Sequence, residues 1–277
     1  MLASARLVSV RVQNLDRGIQ ETGTGLAISL TMAQTIHQLG PQGIESLEIP
    51  NASAKCVRRA RWGRADVLFT PAFWAAQVFF AAITSASAPQ RLGSDFREEV
   101  VACLLCTHGI PSEHGLAAFA AIRDAGLLST TSPDLQAITE VLSEPICVMG
   151  KHIRYRFARQ KSRAVHDAIC KTRSEAPTGD PRELRIFLQH IHGIGPKIAS
   201  WITRNYLASE KVAVIDIHVY RAGLLAAVME PSCSISKDYE RLELQYLEFA
   251  NALNVRPSLL DNVIWQQMRF ASHAGLL

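Results

Sequence analysis

Residues 184–223, LRIFLQHIHGIGPKIASWITRNYLASEKVAVIDIHVYRAG, limit what this chain can fold into more than any other stretch. Leu184, Phe187, Leu188 and Ile191 recur at helical spacing, which predicts a helix with one apolar face. Gly193-Ile194-Gly195 then stops it: two glycines one residue apart tolerate positive φ and leave the backbone bare. Pro196 sits where a new helix starts, the position that proline accepts. Ile198, Ile202 and Leu207 carry the apolar stripe onward. The hairpin GIGPK therefore presents backbone N–H groups at a helix N-terminus beside Lys197. That is an anion site, and in a basic chain the expected anion is a phosphodiester.

Val212 to Ile215 is apolar, and Asp216 interrupts it ahead of His218, Val219 and Arg221. An Asp before an apolar helical run is a natural N-cap, so capping alone accounts for it. Asp216 also follows Lys197 by 19 residues, a distance that one helix and a short loop can fold back on itself. An amine and a carboxylate held at one cleft beside a DNA-backbone clamp meet the needs of covalent base excision.

GIGPKIAS followed by VIDIHVYR closely resembles the helix-hairpin-helix (HhH-GPD) DNA glycosylases, which carry a Gly/Pro-rich loop and an essential Asp. A lysine at the hairpin's end, the place of Lys197, marks the bifunctional branch with 8-oxoguanine glycosylase/lyases and endonuclease III. The motif core covers residues 184–223, and a weaker likeness extends over residues 90–277. The resemblance implies a mainly α, two-lobed helical fold over residues 66–277; residues 1–65 differ in pattern and are expected to form a strand-containing N-terminal extension. It implies a DNA glycosylase/AP lyase for a damaged base, 8-oxoguanine above others, with Lys197 and Asp216 catalytic. Gly193, Ile194, Gly195, Arg159 and Lys161 are the expected DNA contacts, and Trp201, His218, Gln267 and Phe270 the expected base pocket. The expected partner is double-stranded DNA bound by a monomer, with no membrane, metal or organic cofactor. The compartment would be the nucleoid-associated cytoplasm in a bacterium or the nucleus in a eukaryote.

Two rivals stay open. One is an enzyme for another modified or mismatched base: Trp201, one turn past Lys197, stands where eukaryotic 8-oxoguanine enzymes carry a smaller residue. The other is a non-catalytic DNA-binding module that uses the hairpin alone, which retention of both Lys197 and Asp216 disfavours. The run Trp265 to Phe270, WQQMRF, resembles a Trp-x-Gln followed by Phe in eukaryotic-type 8-oxoguanine glycosylases. There the Gln reads the flipped base and the Phe stacks on it; here Phe270 comes one residue early, and packing of Trp265 and Phe270 in the core is the alternative.

Composition narrows the field less. The 277 residues are 48% hydrophobic and carry a net charge of +4. No apolar run reaches the ~18–20 residues of a membrane span, and residues 1–18 lack the apolar core of a secretory leader. Six irregularly spaced cysteines predict buried thiols, including Cys103 and Cys106 in the apolar segment VVACLLCT. Some relatives bind an iron–sulfur cluster through four closely spaced C-terminal cysteines; beyond residue 200 this chain has only Cys233.

Strands are predicted at residues 7–12 and 44–49 and in pieces over 57–69, with a helix over 25–39. The arginine run Arg58, Arg59, Arg61 and Arg64 reads as a solvated face, with phosphate contact as the alternative. Helices are predicted from Pro71, over 92–107 with Ser94 as cap, from a Ser112 cap to 125, and over 135–142, 238–253 and 259–273. Residues 149–170 are the most basic stretch, with Lys151, Arg154, Arg156, Arg159, Lys161 and Arg163 interleaved with Tyr155 and Phe157. It resembles the segment that precedes the hairpin-packing helix in 8-oxoguanine-type glycosylases, and a surface facing the DNA backbone is expected there, with a solvated helix as the alternative.

Overall fold

The computed structural model describes residues 33–84, 91–107 and 109–276. The chain divides into two compact units, Ala88–Ile215 and Met1–Ser87 joined with Asp216–Leu277. The strand predicted at residues 7–12 and the first part of the helix predicted over 25–39 lie outside the described residues. Among the described residues, no helix is long and apolar enough to cross a membrane.

The Ala88–Ile215 unit is built around α2 (Phe96–Leu105). Phe96 and every residue from Val100 to Leu105 are fully buried. A continuous apolar run becomes a buried helix only when neighbours cover all its sides. Here α3 (Ser112–Asp124), α5 (Ala158–Lys171) and α7 (Pro196–Leu207) do so. Around them lie α4 (Leu135–Ser143), the hairpin of β3 (Pro145–Val148) and β4 (Lys151–Arg154), and α6 (Pro181–Gln189). Cys103 is a core thiol, whereas Cys106 is partly exposed and Cys147 and Cys170 are exposed, against the expectation of buried cysteines.

Aspartates begin several helices. Asp95 caps α2, Asp134 caps α4 and Asp180 caps α6, each accepting backbone N–H groups of the first turn. Asp95, not Ser94, holds the α2 cap; the Ser94 hydroxyl and N–H both go to the Glu98 carboxylate instead. Ser112 is the first residue of α3 rather than its cap, and Pro111 ahead of it offers no side-chain acceptor. The first part of the basic stretch is not helical. The β3–β4 hairpin takes residues 145–154, and the helix begins only at Ala158.

In the other unit, β1 (Gln34–Gly40) and β2 (Gly43–Ile49) form an antiparallel pair packed on α1 (Pro71–Thr84). Residues 34–39, predicted helical, are strand: Ile36 and Ile49 point inward, and the pairing with β2 supplies the backbone hydrogen bonds. Residues 57–69 form turns and not strands, with a single bridge between Lys55 and Arg61. Arg58 bridges Glu230 at 2.7 Å and Glu248 at 3.0 Å, Arg61 donates to Ser53 O, and Arg64 pairs with Asp66. That run therefore ties the N-terminal segment to α9 (Tyr239–Ala252) and the loop before it. α8 (Ile217–Leu225) and α10 (Pro257–His273) pack together, and α10 also packs on α1 and α9. The described part of the expected N-terminal extension thus shares its unit with the C-terminal helices.

Candidate nucleic-acid interface and active site

The hairpin between α6 and α7 is anchored from below. Leu184, Leu188, Ile191, Ile194, Ile198 and Ile202 form one buried ridge through both helices. α6 stops at Gln189, four residues before the first glycine, and the turn is closed by Ile191 N–H to Leu188 O at 3.0 Å and Ile194 N–H to Ile191 O at 3.1 Å. Only Gly193 needs the left-handed region, at φ +82°. A methyl group there would also stand 3.0 Å from Ala164 Cβ on α5, so this glycine answers to close packing as well.

Gly195 is a glycine for a different reason. Its φ is −93° and a Cβ built on it meets no atom within 4 Å. Nothing among the described residues requires a missing side chain there. As N-cap of α7 it makes no side-chain cap, and Pro196 has no N–H. The N–H groups of Gly195, Lys197 and Ile198 have no partner among the described residues. The positive end of α7 is thus left open at the surface, with Lys197 exposed on its first turn. Ile194, an expected DNA contact, is a buried anchor whose N–H is already bonded.

α5 holds the hairpin in place. The Asp167 carboxylate accepts from His192 N–H at 2.7 Å and from the Lys171 ammonium at 2.8 Å, and Lys171 also donates to His190 O. Burial opposes ionisation of Asp167, but the His192 N–H and Lys171 outweigh it and hold the carboxyl below its usual range. Neither residue stood out in the sequence, although the Asp167–Lys171 spacing of four is a helical ion-pair signal. Beside them an open groove of about 630 Å³ is lined by Arg163, Asp167, Lys171 and residues 189–194. Arg159 and Arg163 are exposed on α5 with no ion-pair partner among the described residues. His190 Nδ1 lies 2.9 Å from Ile186 O, and the backbone N–H of His192 is held by Asp167.

Lys161 departs from expectation. It is 4% exposed, and its amine donates to Leu104 O and Thr107 Oγ1, both at 2.6 Å. It caps the C-terminal end of α2 from inside, where burial pulls its pKa down to about 8. Helical phase is the reason: Arg159 and Arg163 face out, and position 161 between them faces in.

Asp216 is the N-cap of α8. Its Oδ1 accepts from His218 N–H at 2.8 Å and Val219 N–H at 2.9 Å. Its Oδ2 has no partner among the described residues. Close by, His218 Nδ1 is buried with no hydrogen-bond partner among the described residues, a costly state for a ring nitrogen. Capping therefore engages one oxygen and leaves the other for something else. In the same unit, Gln267 Nε2 donates to Gln77 Oε1 at 3.0 Å, which ties it to α1. Phe270 is 73% exposed and is not a core residue, while the Arg269 guanidinium lies 4.4 Å from the Trp265 ring centre. Trp201 belongs to the Ala88–Ile215 unit and is partly buried against its core.

The family model described as 8-oxoguanine DNA glycosylase, Ogg-HhH, matches residues 88–255. No curated protein matches the chain. Among solved structures, the 8-oxoguanine DNA glycosylase of Thermotoga maritima is 21% identical, with a TM-score of 0.53 over 70% of this chain and 94% of its own. The Methanocaldococcus jannaschii 8-oxoguanine glycosylase/lyase, in complex with 15mer DNA containing 8-oxoguanine, is 20% identical, with a TM-score of 0.51 over 70% and 95%. Such distant structures bear on the fold alone. The family match spans α2 to α9, including the hairpin, Lys197 and Asp216, and it makes this chain a member of the 8-oxoguanine DNA glycosylase family.

Proposed function

We propose that the chain is a bifunctional DNA repair enzyme that excises 8-oxoguanine and then nicks the strand. The observation that carries this reading is the open N-terminus of α7, with a glycine at its cap for no internal reason and Lys197 on its first turn. Phosphate at that end would accept from the N–H groups of Gly195 and Lys197, with exposed Arg159 and Arg163 adding charge. A base stacked in duplex cannot be reached at its glycosidic bond, so the nucleotide is extruded first. The Lys197 amine attacks C1′ as the base leaves, taking a proton to its departing nitrogen. Sugar-ring opening gives a C1′ iminium. Loss of a C2′ proton then expels the 3′ phosphate by β-elimination.

Asp216 supplies negative charge to the cationic sugar through the oxygen that capping leaves open. His218, Gln267 and Phe270 are the candidate base contacts in its unit, and Trp201 on α7 is the fourth. A bulky Trp201 keeps another modified base as the second reading. The test is borohydride trapping over a panel of duplexes, each carrying one lesion. Wild type should trap on 8-oxoguanine duplex, and Lys197→Ala should not. Trapping by Lys197→Ala refutes the nucleophile; trapping on a different lesion only transfers the enzyme to the second reading.

A further inference from the structure

The helix α1 is almost wholly apolar, and from Pro71 to Ile83 its one amide, hydroxyl or charged side chain is Gln77. Gln77 stands beside Phe73, Ala76 and Phe80 on the wall of a cavity of about 270 Å³. An amide in such a setting costs free energy unless it is hydrogen-bonded. Gln77 Oε1 accepts from Gln267 Nε2 of α10 at 3.0 Å, and both residues belong to the same unit. Neither side chain makes another hydrogen bond among the described residues.

An amide has two ends of opposite character: the carbonyl accepts and the NH2 donates. The ends have nearly the same shape, so packing does not decide which of them Gln267 offers to a ligand. Its bond to Gln77 does. With the NH2 held on the Gln77 carbonyl, the Gln267 carbonyl is the end left to receive a donor. Gln267 is half-buried, and an acceptor at such a site discriminates by what it meets. A donor forms a hydrogen bond, whereas a second lone pair is repelled and leaves both groups unpaired. The Watson–Crick edges of the oxidised purines differ in this respect. 8-Oxoguanine donates from N1–H and its 2-amino group; 8-oxoadenine carries a lone pair at N1.

We propose that Gln77 determines base specificity: by fixing the Gln267 amide with its carbonyl toward the extruded base, it selects a base whose ring nitrogen donates over one whose ring nitrogen accepts. This rests on Gln267 as a base contact in the reading above. Gln77 acts through Gln267, so it is a positioning residue and does not touch the base. The class admitted is the lactam bases, which keep a ring N–H on this edge, and the second reading narrows to lesions of that class.

The experiment measures equilibrium binding to two duplexes that carry 8-oxoguanine or 8-oxoadenine, each as its 2′-fluoro nucleotide opposite the same abasic analogue. The fluorine keeps the base attached, and the abasic partner removes differences in pairing. Wild type should bind the 8-oxoguanine duplex about tenfold or more tighter, and equal binding overturns the proposal. Gln77→Glu can only accept, so it locks the arrangement found here and should keep the ratio; its added charge weakens both duplexes alike. Gln77→Lys can only donate, so it turns the Gln267 NH2 toward the base and should bring the ratio to about twofold or less. Gln77→Leu suits the apolar helix and leaves the amide free, so its ratio should fall by about threefold or more even where the lysine variant does not fold. A mere tie between α1 and α10 predicts lower melting temperatures for the Lys and Leu variants at an unchanged ratio. That result overturns the proposal, as does loss of the ratio in Gln77→Glu. Gln267→Leu separates the two layers. If it keeps the wild-type ratio, the base-contact reading fails; if it loses the ratio while Gln77→Lys and Gln77→Leu keep it, only the role of Gln77 is refuted. A wild type that releases no base refutes the glycosylase reading and leaves this binding test intact.

Discussion

Replacing Asp216 separates capping from catalysis. Asn keeps an acceptor where Oδ1 now takes the His218 and Val219 N–H groups, so the cap of α8 survives. What disappears is the negative charge, whose attraction to the helix N-terminus is about 0.3–1 kcal/mol. For a chain of this size that moves the melting temperature by no more than about 3 °C. Ala removes the acceptor as well and costs about 0.5–2 kcal/mol in lost capping. The two variants should therefore differ in stability and agree in activity. Both lose the charge offered to the cationic sugar, and single-turnover excision should fall by about 10²–10³ in each. The assay is excision of 8-oxoguanine from one duplex by wild type, Asp216→Asn and Asp216→Ala, alongside thermal melts of all three. A normal rate for Asp216→Asn with Asp216→Ala impaired only in stability would reduce Asp216 to a cap.

The two hairpin glycines should behave differently. Gly193→Ala places a residue at φ +82° against Ala164 and should destabilise the chain by about 1–2 kcal/mol. Gly195→Ala adds a methyl group in open space and should leave denaturant midpoints unchanged, yet weaken binding to damaged and undamaged duplex alike; loss confined to lesion DNA would refute phosphate contact there. Lys161 links stability to pH. Burial lowers its folded pKa to about 8 from an ordinary 10.5, so between these values the unfolded chain binds more protons and folding gains as pH rises. Relative to Lys161→Met, wild type should gain stability from about pH 8 to 10.5, by less than about 1.4 kcal/mol per unit, in urea titrations at pH 7 and 9.5. A pH-independent difference would mean that the amine does not titrate in the interior.

The helix-hairpin-helix was legible because every determinant is local. The apolar spacing of Leu184, Leu188, Ile191, Ile198 and Ile202, the glycine at positive φ and the proline at N1 act within a few residues of one another. Asp216 as a cap was legible for the same reason, since its acceptor serves N–H groups two and three residues on. The family resemblance rests on those same residues, which lie within the stretch 88–255 that belongs to the 8-oxoguanine DNA glycosylase family.

Tertiary structure decided what depends on distant partners. Residues 34–39 are strand because residues 44–49 lie alongside them, and no local pattern announces that pairing. Lys161 and Arg159 look alike in a basic run, but the surface of α2 places one on Leu104 O and leaves the other in water. Asp167 holds the hairpin only because α5 lies against it. Arg58 gained its purpose from Glu230 and Glu248, which follow it by more than 170 residues. In a single sequence, residues this far apart carry no spacing rule, because burial and charge pairing are set by packing and not by chain periodicity.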